Sequence, residues 1–200
     1  IQTEYVGVDP DVGLAADATK YPIIPDGNYV GTVAELGANA NTVEVGDRVV
    51  GGTKFHCGIC SACSEGEYQN CENPTRLGID TDQGAFSRFI AVPSDYVFSI
   101  PEGMNPGKGT LIRPVAKIES ELNRIQHMID DPGNCLVVGD TAKGKLVTQV
   151  VDSLSGYSAT QMDEEVLRST SNSPDLTEYD LLVEAAGNSE TAKQSIQKAR

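Results

Sequence analysis

The chain has 200 residues, 39% hydrophobic and 22% charged, with 20 Gly and 10 Pro, which suits one or two domains with a buried core and excludes a disordered composition. Its 15 Lys and Arg against 29 Asp and Glu leave a formal net charge of −14, and no basic stripe is present, so a nucleic-acid partner is excluded. No apolar run approaches bilayer length, and Ile1-Gln2-Thr3-Glu4-Tyr5 lacks the basic and apolar regions of a secretory signal; the expectation is a cytoplasmic protein without a membrane partner.

The first hundred residues read as strand-rich. Tyr29 to Leu36 is β-prone and runs into the turn Gly37-Ala38-Asn39-Ala40-Asn41. Val43 to Val50 forms two short strand pieces around Gly46, and Phe86 to Val92 alternates until Pro93. Strands this short and close together predict a barrel-like β domain.

Between them, four of the five cysteines crowd into one window: Cys57, Cys60, Cys63 and Cys71. Four thiolates form the closed tetrahedral shell of a structural zinc site, and two-residue gaps let a loop turn neighbouring sulfurs towards one point. An iron–sulfur cluster uses the same ligand type, but Cys71 is followed by Glu72 and Asn73 rather than the proline of the bacterial ferredoxin run. A disulfide pair is the other alternative, with nothing else pointing to an oxidising compartment.

After Pro101-Glu102-Gly103 the pattern changes. Leu111, Val115, Ile118, Leu122, Ile125 and Ile129 recur at three and four, which predicts an amphipathic helix over 110–129, broken by Asp131-Pro132-Gly133-Asn134. Cys135 to Val138 reads as a buried strand, Gly139 to Gly144 as a turn and Lys145 to Leu154 as a helix. Further strands are expected at Tyr157 to Met162 and Tyr179 to Gly187, and a helix from Ser189. Alternating strands and helices predict a parallel α/β sheet.

Gly139-Asp140-Thr141-Ala142-Lys143-Gly144 follows a strand and opens a helix, the setting of a dinucleotide fingerprint, although Thr141 replaces the middle glycine and would crowd a pyrophosphate. Asp163 lies 19 residues beyond Gly144, near the ~20 expected of the acid that binds ribose hydroxyls. With an offset of two, Gln161 takes that place and the preference for NAD over NADP weakens. The candidate cofactor-binding residues are therefore Gly139, Asp140, Thr141, Gly144 and Asp163. Lys143 and Lys145 sit in the first helical turn, where the helix dipole disfavours cations unless an anion binds.

Val45-Gly46-Asp47-Arg48-Val49, the four-cysteine spacing, Gly84-Ala85-Phe86-Ser87-Arg88-Phe89 and Val92-Pro93 follow one another, behind Tyr21-Pro22-Ile23-Ile24-Pro25, in an order that resembles the zinc-containing medium-chain dehydrogenases. The resemblance runs from about residue 5 to residue 200. It implies a GroES-like β-barrel domain over 1–105, with a zinc lobe at about 55–75, followed by an incomplete or shortened Rossmann-type domain over 106–200. It also implies one structural zinc per chain, NAD or NADP, and hydride transfer with a small-molecule alcohol, sugar or carbonyl substrate. Sugar and polyol enzymes of the glucose-dehydrogenase kind are the nearest in character, and a homo-oligomer is expected if the full-length chain is longer. The stretch from Arg168 to Tyr179 is short for this fold, so the chain reads as a fragment or a reduced relative.

The second, catalytic zinc of that family is poorly matched. Gly7-Val8-Asp9 offers one carboxylate, and Asp9 is the candidate catalytic residue. The Gly-His-Glu station reads Asp26-Gly27-Asn28, and the Glu-Pro station reads Arg113-Pro114. Arg113 is expected to pair with Asp9, while His56 and His127 are expected to be structural or surface residues. A zinc-free reductase on the same scaffold, and an inactive binding relative that keeps only structural zinc, are the alternatives.

Overall fold

The computed structural model describes residues 1–8, 24, 27–125, 133–168 and 175–198. Asp9, Asp26 and His127 lie outside the described residues. The chain divides into two compact units, Ile1–Pro114 and Val115–Arg200. No helix among the described residues is long and apolar enough to cross a membrane.

The first unit contains β1 (Gln2–Gly7), β2 (Asn28–Thr32), β3 (Arg48–Gly51), β4 (Lys54–Phe55), α1 (Ser61–Ser64), β5 (Thr75–Arg76), β6 (Val97–Ser99) and α2 (Pro106–Gly109). An antiparallel sheet runs β1-β2-β3-β6, and β4 pairs with β5. β2 is covered on both faces, which explains why its sequence does not alternate: Tyr29 packs with Phe55, Leu77, Ala85 and Ile90, while the methyls of Val30 meet Gly109. A separate cluster joins Val33, Val43, Val49 and Val97. Asn105 caps α2, its side chain accepting from the Gly107 N–H at 2.8 Å, with Pro106 in the first helical position.

Two expected strands are corrected. Ladder pairing starts at Arg48 rather than Val43, because the Asp47 carboxylate accepts from the Glu44 N–H at 2.9 Å and Gly46 turns at φ +98°. Residues 86–92 make an isolated bridge, Phe89 to Gln2, rather than a strand. They cross the outer edge of β1 briefly, after a turn closed by Ser87 N–H to Gly84 O at 2.9 Å.

α3 (Ile112–Ile125) follows, and its Val115, Ile118, Leu122 and Ile125 pack into the second unit's core. The remaining elements are β7 (Asn134–Val138), α4 (Ala142–Ser153), β8 (Ser158–Met162), α5 (Glu164–Arg168), β9 (Leu181–Glu184) and α6 (Ser189–Lys198). The parallel sheet runs β8-β7-β9. β7 is wholly buried beyond Asn134, and its side chains alternate: Cys135 and Val137 join Val147, Val150 and Val151, while Leu136 and Val138 join Leu167 and Leu176. α4 begins at Ala142, three residues earlier than its apolar pattern suggested, because Thr141 caps it. The crossover from β7 leads to β8 on one side, and the chain then returns to place β9 on the other side of β7, so the strand order reverses there and the carboxyl end of β7 is a topological switch point, where ligands of open α/β sheets bind.

Candidate functional site

The four cysteines reach one place from three kinds of local structure. Cys57 follows β4, and Gly58, at φ +76°, makes the reversal that side chains resist. Cys60 stands at the N-cap of α1, Cys63 lies on that helix, and Cys71 ends a 3-10 turn at Tyr68–Asn70. The ligand atoms of all four lie within 4.8 Å of one another. Cys60 Sγ is 3.4 Å and Cys57 Sγ 4.0 Å from Cys63 Sγ, and the Cys57 N–H donates to Cys71 Sγ at 3.2 Å. The two sulfur–sulfur separations exceed the ~2.05 Å of a disulfide. They straddle the ~3.8 Å edge of a tetrahedron with ~2.3 Å metal–sulfur bonds.

The electrostatics agree with that shape. Hydrogen bonds to the Ile59 and Cys60 backbone pull the Cys57 thiol down to about 6, and the backbone of Glu72 and Cys63 lowers Cys60. Desolvation and then the neighbouring Cys60 push Cys63 up to about 12. Cys63 therefore resists ionising beside Cys57 and Cys60, a conflict that a divalent cation between the sulfurs resolves. Their chemistry and spacing fit one zinc ion. The fifth cysteine, Cys135, is buried in β7 and its thiol is raised to about 11, first by desolvation and then by Asp152, as befits an inert core residue.

His56 ties the lobe to the sheet. Its backbone N–H donates to Tyr96 Oη at 2.9 Å, its Nδ1 shares a hydrogen bond with the same hydroxyl, and its ring stacks on Tyr68 at 4.1 Å. It is structural, as expected; the tyrosine partners carry no local sequence signal, because they lie 12 and 40 residues away.

The stations of the second metal also converge within the first unit. Gly7 pairs with Asn28, and a Cβ on Gly7 would lie 3.2 Å from Thr110 Cβ and 3.5 Å from Asn28 Cβ. Arg113 Nη1 donates to Asn28 Oδ1 at 3.2 Å. Asn28 is thus one partner of Arg113; the expected partner, Asp9, lies outside the described residues. A neutral amide and a cation are not zinc ligands, so the described residues do not fit the family's catalytic metal.

At the carboxyl edge of the parallel sheet, Gly139 turns at φ +130°, and a Cβ there would lie 2.7 Å from the Ala186 nitrogen. Gln161 Nε2 donates to Gly139 O at 2.9 Å, a contact that the sequence did not signal. Thr141 Oγ1 accepts from the Gly144 N–H at 3.1 Å and donates to Ala185 O at 3.3 Å, so its hydroxyl serves as helix cap and strand tie. Asp140 pairs with Lys145 at 3.1 Å, which answers that lysine's charge within the protein. Asp163 follows β8 directly, accepts from the Glu165 N–H at 2.8 Å and stays exposed. Gly139, Asp140 and Thr141 thus form one turn and Gly144 lies in the first turn of α4, with Asp163 on the same sheet edge.

Residues 1–102 match the model of the alcohol dehydrogenase GroES-like domain. The L-threonine 3-dehydrogenase of Pyrococcus horikoshii is 36% identical over 101 residues, which covers 50% of this chain and 29% of the relative. The crystal structure of glucose dehydrogenase from Haloferax mediterranei superposes with a TM-score of 0.77 at 22% identity, covering 100% of this chain and 66% of that one. The structure of CAD from Helicobacter pylori complexed with NADP(H) gives 0.67 at 21% identity, over 81% of this chain and 49% of that one. The chain therefore spans less than two thirds of the length of each. With just over half of its residues, the cysteine loop included, matched to one family model, the chain belongs to the medium-chain dehydrogenase/reductase family.

Proposed function

We propose that this chain is the structural-metal and nucleotide-binding portion of an NAD(P)-dependent dehydrogenase acting between a nicotinamide ring and a small-molecule alcohol, sugar or carbonyl. The observation that carries the reading is the glycine turn at the end of β7, set on a three-stranded parallel sheet at its switch point. Dehydrogenase relatives and an NADP(H)-bound neighbour support it.

When bound, the dinucleotide supplies the hydride chemistry. The chain's own part is to bind and orient. Gly139 makes, against the Ala185–Ala186 backbone, the tight turn that opens α4, and the N-terminal end of that twelve-residue helix would favour the pyrophosphate's negative charge. Asp163 would accept from the ribose hydroxyls and disfavour a phosphate on them, which predicts NAD over NADP. Cys57, Cys60, Cys63 and Cys71 hold a zinc ion that braces the lobe and takes no part in the chemistry.

Titration with NADH and with NADPH, followed by nucleotide fluorescence and thermal shift, tests the reading. A saturable response, stronger for NADH, is expected; silence with both nucleotides sinks it and leaves a binding relative that retains structural zinc. A second reading, a zinc-free reductase with Asp9 as the proton-donating acid, is favoured by the Asn28–Arg113 pair.

A further inference from the structure

We infer that the Asn28–Arg113 hydrogen-bonded pair stands in place of the family's second metal, so that these stations hold no zinc of their own. The inference goes beyond the dehydrogenase reading, because it concerns metal count and stands whether or not a nucleotide binds. Three observations support it, all within Ile1–Pro114.

The first is the donor set. A catalytic zinc takes three protein ligands drawn from imidazole, thiolate and carboxylate. The three stations here read Gly7-Val8-Asp9, Asp26-Gly27-Asn28 and Arg113-Pro114, with neither imidazole nor thiolate among them. The described histidine nearest in sequence, His56, is already engaged by Tyr96 and Tyr68.

The second is space. At Gly27, where the family carries its imidazole, an added Cβ would lie 2.8 Å from Val6 Cγ1, 3.1 Å from Gly7 O and 3.3 Å from a Phe86 ring carbon. Two of these neighbours are a branched side chain and a backbone carbonyl, so the position has closed around glycine. Gly7 is less tightly bounded: a Cβ there would lie 3.2 Å from Thr110 Cβ and in ordinary contact with Asn28. The Thr110 hydroxyl is itself engaged, donating to Gly107 O at 2.8 Å.

The third is charge. Asn28 is buried, 8% exposed, and its amide oxygen, the atom standing where the family places a carboxylate, accepts from a guanidinium at 3.2 Å. A permanent cation hydrogen-bonded at that point repels a divalent ion and satisfies the buried acceptor without one. The pair joins the start of β2 to the start of α3 by hydrogen bonding.

The test counts metal on the intact chain. The protein is saturated with zinc, freed of excess and assayed by elemental analysis alongside quantitative amino-acid analysis. One zinc per chain is expected, and two would overturn the inference. A count of zero would still agree with the closed second position, while sinking the four-cysteine site proposed above, so the two failures are distinguishable. Titration with cobalt(II) gives an independent readout that needs no variant. Thiolate-to-metal absorption is expected to saturate at one equivalent, with no later rise in visible bands; a second set, characteristic of oxygen and nitrogen ligands, would overturn the proposal.

Discussion

Cys60 shows how one side chain serves two purposes in this fold. It occupies the N-cap of α1 without offering a capping oxygen, and it brings its sulfur 3.4 Å from that of Cys63. In Cys60→Ser the hydroxyl would make the better cap but a poor ligand for a soft site. The expected result is a fall in zinc affinity of more than about 100-fold, beyond what loss of an outer-shell partner costs. Competition with a chromogenic chelator measures it, and retention of wild-type affinity would refute the cluster as a zinc site. What the sequence disclosed at this scale was uneven. The cysteine window was fully legible, since short spacing is itself geometry. The amide of Asn28 meeting Arg113 spans 85 positions, and no local pattern reports a contact of that range. The replacement of metal ligands was visible as a list of wrong letters; that they bond to each other was not.

At the level of elements, the turn after β7 invites a substitution that separates stability from binding. Gly139 has a φ that side chains rarely adopt, and an added Cβ would meet the backbone of Ala185 and Ala186. Gly139→Val is expected to destabilise the chain by about 2–4 kcal/mol, from backbone strain together with overpacking. Urea unfolding would report the loss, with the nucleotide response absent even well below the midpoint. Wild-type stability would contradict the described turn. The same element shows where sequence reading succeeded and where it stopped. The apolar run of β7 and the glycines around it located strand, turn and helix together, because burial on both faces writes itself as an unbroken Val/Leu segment. The apolar pattern starts α4 three residues late, since it does not report the cap that the Thr141 side chain provides. Residues 86–92 alternate like a strand, yet their backbone meets β1 at one bridge, which alternation alone does not reveal.

For the molecule as a whole, charge is the property that reaches every part. A net charge of −14 over 200 residues makes the folded state repel itself, and added salt screens that repulsion within a Debye length of about 10 Å at 0.1 M and 3 Å at 1 M. Raising potassium chloride from about 0.01 M to 1 M is therefore expected to lift the melting temperature by roughly 2–4 °C, the shift that about 1 kcal/mol gives in a chain of this size. A thermal scan across the salt series checks this; a falling melting temperature would mean that attractive ion pairs, such as Arg48 with Glu4 at 3.4 Å, outweigh the surplus of acid.

The order of the parallel sheet has a consequence for how the chain is made. β9 docks on the free side of β7, although it is translated after β8 and 46 residues separate Val138 from its partner Glu184. At roughly 5–20 residues per second, a ribosome takes about 2–9 s to deliver that partner. During that interval one flank of the most apolar strand has nothing to hold, and a nascent chain in that state is a natural client for whatever guards the tunnel exit.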